Sequence, residues 1–204
     1  MKSSNHRILF FPGASGDGSF WTGVGELLPN SWQKHYLNWP GLGNQPASPE
    51  VTGFTDLLRL TERSLSEPSA IVAQSMGGIV AIQLALKHPD LVTHLVLVAT
   101  SGGLDVSSFG ASDWRPDFLA AFPETAQWIL TERPDLAGQF SKLQMPTLLI
   151  WGEKDAISPV AVGQHLATQI PLSRLFIVPG GEHSLAKDLP EVVVPLIETH
   201  LATV

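Results

Sequence analysis

Ser75 lies in the run Ala73-Gln74-Ser75-Met76-Gly77-Gly78, where an apolar β-type segment (Ala70, Ile71, Val72) gives way to an apolar helical run starting at Ile79. So tight a strand-to-helix turn has no room for bulky substituents, and it pushes its central side chain out at the end of a sheet. The following helix then starts beneath the serine, its unpaired backbone N–H groups aimed at any negative charge that forms there. This is the chemistry of a nucleophile elbow. Small-x-Ser-x-small runs are common by chance, so the serine needs partners. Asp155 and His183 each follow a strand-like run downstream, in the chain order Ser, Asp, His that such a site requires.

Three residues so far apart meet only if separate strands deliver them to one edge. The apolar runs alternate accordingly, with strands expected at 7–11, 34–38, 69–73, 94–99, 147–151 and 174–178. Helices are expected between and after them, at roughly 19–28, 54–66, 76–87, 159–169 and 184–199. Near-continuous apolar strands joined by helices indicate a mainly parallel α/β sheet of about six strands, covered on both faces. Right-handed crossovers leave the strand C-termini on one edge, where open sheets of this kind bind ligands. Every candidate chemical residue falls just after a strand end.

One stretch breaks the alternation, from about residue 101 to 143. It opens on Ser101-Gly102-Gly103 and carries Phe109, Trp114, Phe118, Phe122, Trp128 and Phe140 among acidic and proline residues. Its length for a connection predicts small helices of its own. It reads as a short helical lid over the catalytic edge, or else as an ordinary amphipathic helix pair packed beside the sheet.

The chain of 204 residues is expected to form a single domain, 1–204, with that insertion inside it. A net charge of −7 argues against nucleic acid or an anionic membrane surface as the main partner. The chain has no cysteine, which excludes disulfides, thiolate catalysis and cysteine-bound metal. The run Ile8-Leu9-Phe10-Phe11 stops at Pro12, too short for a signal-peptide core, and no run is long enough for a membrane span. A cytoplasmic location is the expectation. His6, His35, His94, His165 and His200 show no metal-ligand spacing, and His88 before Pro89 sits at a helix end. No metal and no cofactor are expected, and the sequence is silent on oligomeric state.

At this point the chain resembles the α/β-hydrolase superfamily over nearly its whole length. The resemblance rests on Phe11-Pro12-Gly13-Ala14 with Phe20-Trp21, Pro40-Gly41-Leu42-Gly43, the serine elbow, His88-Pro89-Asp90, Trp151-Gly152-Glu153-Lys154-Asp155 and Gly181-Glu182-His183-Ser184. It implies Ser75 as nucleophile, His183 as the base that takes its proton, and Asp155 as the group that orients the imidazole. Glu153 lies two residues from Asp155, and the Gly-x-x-Asp spacing favours Asp155. The same resemblance assigns the oxyanion hole to the backbone N–H groups of Met76 and Ala14. The loop Gly13-Ala14-Ser15-Gly16-Asp17-Gly18 lacks the Gly-Lys-Ser/Thr ending of a phosphate-binding loop.

The chain departs from the family pattern in four places. Pro12-Gly13 stands where relatives often have His-Gly, and Asn38 where they often have Asp. Glu182 precedes the histidine where glycine is frequent, and the chain opens almost directly on its first core strand. None of these removes a catalytic group. Trp21, Trp114, Phe118, Phe122 and Trp128 are candidate substrate contacts, although aromatics of this kind are more often core.

Three functions compete. The first is a serine esterase acting on a small or medium apolar or aromatic ester, with an acyl-thioester as a close variant. The second keeps the triad but performs carbon–carbon bond hydrolysis or perhydrolysis, since Ser-Met-Gly-Gly also resembles those enzymes. The third is a small-molecule receptor on the same scaffold.

Overall fold

The computed structural model describes residues 6–202. Six strands form one sheet: β1 (Arg7–Phe11), β2 (Gln33–Tyr36), β3 (Ser69–Gln74), β4 (Val92–Val98), β5 (Thr147–Gly152) and β6 (Ser173–Val178). Their order is β2-β1-β3-β4-β5-β6, and every pairing is parallel. The chain steps from β1 outward to β2, then crosses back to β3 on the other side. Connections therefore diverge between β1 and β3, which leaves a crevice at their C-terminal ends.

Eight α-helices lie among the described residues: α1 (Thr22–Leu27), α2 (Phe54–Glu62), α3 (Met76–Lys87), α4 (Arg115–Ala121), α5 (Trp128–Thr131), α6 (Val160–Gln169), α7 (Leu185–Asp188) and α8 (Pro190–Leu201). The period-2 alternation of strand side chains divides them between two cores. Leu9, Phe11, Ile71, Leu97 and Leu149 face Leu57 of α2, Val80 of α3 and Leu166 of α6. Their neighbours Ile8, Phe10, Val72, Val96 and Ile150 face Val24 of α1, Leu185 of α7 and Ile197 of α8. Both faces of the central strands are buried, so their sequences are apolar without interruption.

The expected elements are present, with shifted ends. The helix expected over 184–199 is two helices, because Pro190 has no N–H to continue α7 and instead opens α8. The 101–143 stretch forms α4, α5 and two 3-10 turns, Ser107–Phe109 and Phe140–Lys142. No described helix is long and apolar enough to cross a membrane.

Behind the sheet, His200 of α8 is 8% exposed and its ring meets His94 of β4 edge-on at 5.3 Å. Burial first, then the His94 charge, pushes the His200 imidazole down to about 4, and Arg174 adds to the shift while hydrogen bonds with the Leu95 and Pro146 backbone oppose it. The unfolded chain therefore binds this proton more readily than the fold does. Stability should be complete above about pH 6.5 and fall as the pH drops toward 4. Urea melts of His200→Gln should show an acid limb flatter by on the order of 2 kcal/mol. Parallel pH profiles for the two proteins would assign the acid sensitivity elsewhere.

Candidate active site

Ser75 closes β3 and caps α3 with φ 52° and ψ −123°, a conformation that residues bearing a Cβ adopt only under constraint. The constraint is visible on both sides. The Ser75 N–H donates to the Val98 carbonyl at 2.9 Å, extending the β3–β4 ladder one step into the turn. Beyond it, a Cβ on Gly77 would stand 2.4 Å from the Pro12 carbonyl oxygen, so only glycine lets α3 start this close to the loop after β1.

Asp155 follows β5 in a turn that its own carboxylate organises. Oδ1 accepts from the Ile157 and Ser158 N–H groups, each at 2.9 Å, and the residue is 4% exposed. His183 follows β6, and the two loops are stitched together where the Lys154 N–H donates to the Gly181 carbonyl at 2.8 Å. The His183 carbonyl in turn accepts from the Gln74 side-chain amide at 3.3 Å, beside the elbow.

These loops bring the three residues together. His183 Nδ1 lies 2.9 Å from Asp155 Oδ2, and His183 Nε2 lies 3.0 Å from Ser75 Oγ. A carboxylate only accepts, so Nδ1 carries the proton and Nε2 presents its lone pair to the serine hydroxyl. An imidazole so held can draw a proton from Ser75 as the oxygen attacks an electrophilic carbon.

Met76 is the first residue of α3, so its amide has no partner within the helix. Gly13 is packed so close to the elbow that a Cβ there would stand 3.2 Å from Ser75 Cβ, which brings the Gly13-Ala14 loop beside Ser75. That loop is pinned by tryptophans. Trp21 Nε1 donates to the Phe11 carbonyl at 2.9 Å and Trp39 Nε1 to the Pro12 carbonyl at 2.8 Å. Asn38, where relatives often have Asp, accepts from the Gly18 N–H at 2.7 Å.

Ser75, Met76 and His183 open onto a cavity of about 860 Å³. Its apolar walls include Ile79, Leu104, Ile129 and Ile157, and much of the rest comes from the 101–143 stretch. That stretch is tied to the core on both sides: the Ser112 N–H donates to the Ala156 carbonyl and the Ala126 N–H to the Gly41 carbonyl, each at 2.8 Å.

Of the five aromatics singled out in the sequence, Trp114 lines the cavity. Trp21 is wholly buried on the opposite core, beside Phe10 and Phe20. Phe118 stacks between Trp114 and Phe122, and Trp128 packs edge-on against Phe54. The sequence pointed to none of the charged residues in the wall, among them Arg115, Glu132 and Arg133. Partial burial, then the Arg115 charge, holds the Arg133 guanidinium below its usual value, with Asp113 acting against them. Its fork is satisfied by the Glu132 and Leu130 carbonyls at the end of α5. Glu182 is exposed and Glu153 is engaged with the Gly180 N–H at 2.9 Å, so neither carboxylate bonds the histidine.

Residues 6–133 match a family model described as alpha/beta hydrolase fold. The chain is similar to the pimeloyl-[acyl-carrier protein] methyl ester esterase of Aeromonas hydrophila, at 25% identity over 243 residues, covering 94% of this chain and 93% of that protein. The protein of the same name from Chromobacterium violaceum is 26% identical over 233 residues, covering 91% and 90%. Among solved structures, a malate-bound thermophilic esterase from Thermogutta terrifontis superposes with a TM-score of 0.77 at 23% identity, covering 97% of this chain and 89% of that one. At that identity the likeness speaks to the fold.

Proposed function

Since the chain belongs to the alpha/beta hydrolase fold family, we propose that it is a serine hydrolase that cleaves carboxylic esters through an acyl-serine intermediate. The observation that carries this reading is the unbroken hydrogen-bond path from Asp155 through His183 to Ser75 at the floor of a cavity.

Ser75 Oγ attacks the ester carbonyl while its proton passes to His183 Nε2. The negative charge that builds on the carbonyl oxygen is met by the Met76 and Ala14 N–H groups, a contribution of about 3–4 kcal/mol per donor in sites of this kind. Asp155, fixed in place by two loop amides that donate to its Oδ1, stabilises the imidazolium that forms. His183 then returns the proton to the departing alkoxide. Water, activated by the same histidine, releases the acid and restores Ser75.

The apolar walls suit a small or medium acyl or aromatic group. The names of the curated relatives suggest a methyl ester on a carrier-bound acyl chain as a second candidate. A p-nitrophenyl ester series should give its highest kcat/KM at short to medium chains, on the order of four to eight carbons, with acyl-CoA thioesters turned over much more slowly. Fast acyl-CoA turnover with weak ester turnover would make the protein a thioesterase. Binding of esters without any release of product would overturn the enzymatic reading.

A further inference from the structure

We propose that Thr100 is a positioning residue that sets the direction of the Met76 oxyanion donor through the carbonyl group of Ser75. The inference rests on the serine-hydrolase reading above. Thr100 is fully buried just beyond β4 and touches no part of the cavity. Its Oγ1 donates to the Ser75 carbonyl oxygen at 2.6 Å and accepts from the Gly102 N–H at 3.0 Å. Because a hydroxyl has one proton and Gly102 occupies a lone pair, that proton is committed to Ser75.

The Ser75 carbonyl and the Met76 N–H belong to one peptide unit. No peptide bond among the described residues is cis, so the two groups point in opposite directions across a rigid plane. Fixing the carbonyl oxygen therefore fixes the N–H. Ser75 sits at φ 52° and ψ −123°, outside the broad wells of backbone space, so the direction of this plane depends on the donors that reach its carbonyl, and the Thr100 hydroxyl gives the shorter of the two bonds. The Gly78 N–H, at 3.0 Å, gives the same oxygen a second and longer bond.

Thr100 is itself tied to the acid. Its carbonyl accepts from Ser158 Oγ at 3.3 Å, and the Ser158 N–H donates to Asp155 Oδ1 at 2.9 Å. With the Asp155–His183 and His183–Ser75 bonds, this closes a ring: Ser75, Thr100, Ser158, Asp155, His183 and back to Ser75. Nucleophile, base, acid and oxyanion donor are thereby positioned against one another rather than separately.

Packing makes the substitution series informative. A Cβ on Gly78 would stand 2.5 Å from Thr100 Oγ1, so the hydroxyl fills its space against the first turn of α3. Thr100→Ser keeps the donor. Thr100→Ala deletes it without adding bulk. Thr100→Val sets a methyl where an oxygen now sits 2.6 Å from the carbonyl, closer than the roughly 3.3 Å that carbon and oxygen tolerate, and so pushes the peptide away.

The test is steady-state kinetics on a p-nitrophenyl ester, with active sites counted by a fluorophosphonate and affinity measured for a trifluoromethyl ketone that forms a tetrahedral oxyanion. Relative to wild type, kcat should fall about 10-fold in Thr100→Ala and about 100-fold in Thr100→Val, with KM within about twofold. Thr100→Ser should recover kcat to within about threefold, and affinity for the ketone should fall in step with kcat. If Thr100→Val does not fold, Thr100→Ala and its ketone affinity decide. Wild-type kcat per active site in Thr100→Ala, or a loss of rate with unchanged ketone affinity, would overturn the role of Thr100 alone. A wild-type protein that neither labels nor turns over esters would instead overturn the hydrolase reading beneath it.

Discussion

Replacing Ser75 by alanine should lower ester turnover by at least about 10⁴-fold and abolish labelling by a fluorophosphonate, while leaving the fold intact. The fold is spared because the Ser75 hydroxyl bonds only His183 Nε2, at 3.0 Å, and His183 is exposed enough for water to take its place. The backbone bonds of the elbow, to Val98, Gly78 and Thr100, do not involve that hydroxyl. Alanine also tolerates the elbow's φ of 52° as well as serine does, so the melting temperature should move by no more than a few degrees. Activity should fall this far because, among the described residues, no other hydroxyl is hydrogen-bonded to His183 Nε2. Some acceleration over water should survive through the oxyanion donors and substrate binding, which the substitution leaves in place. Persistent labelling in Ser75→Ala, measured by mass after tryptic digestion, would place the nucleophile elsewhere and end the acyl-serine mechanism.

The chain shows its architecture where burial leaves no freedom. Each central strand packs on both faces, so β1, β3, β4 and β5 read as apolar runs that no surface strand would carry. The elbow is equally legible, because Gly77 is forced by backbone contact and Ser75 sits at the turn from β3 into α3. Strand ends are less so. β2 stops at Tyr36 because Asn38 is drawn off to cap the turn at Gly18, a contact 20 residues back that no local pattern announces.

Aromatic residues marked the 101–143 stretch but not which of its side chains line the cavity. A tryptophan buries the same area against a ligand or against its neighbours, so type alone does not separate Trp114, on the cavity wall, from Trp128, packed on Phe54. Trp21 shows the same ambiguity resolved the other way, since its indole N–H secures a loop carbonyl from the opposite core. Thr100 and Ser158 left no trace because a lone hydroxyl has no spacing signature. Their positions matter only once β4 and β5 stand side by side.

Asp155→Asn should cut kcat by about 10⁴-fold, whereas Glu153→Gln should change it by less than about threefold. The two carboxylates are two residues apart in the same loop, so the comparison isolates what each one touches. Asp155 is buried, with its oxygens shared among the Ile157 and Ser158 amides and the Nδ1 proton of His183. An asparagine can still satisfy the loop amides through its carbonyl oxygen, which preserves the turn. Its NH₂ group then faces His183 and donates where the carboxylate accepted. The imidazole responds by carrying its proton on Nε2, so it has no lone pair left for Ser75. It also loses the negative charge that stabilises the imidazolium. Geometry survives while the base is disabled, so KM should hold and kcat should collapse. Glu153 meets only the exposed Gly180 amide, a bond that water replaces at little cost. Were Glu153→Gln the more damaging change, the acid would have to reach His183 from the other side of the loop, and the closed ring through Ser158 would lose its link to the base.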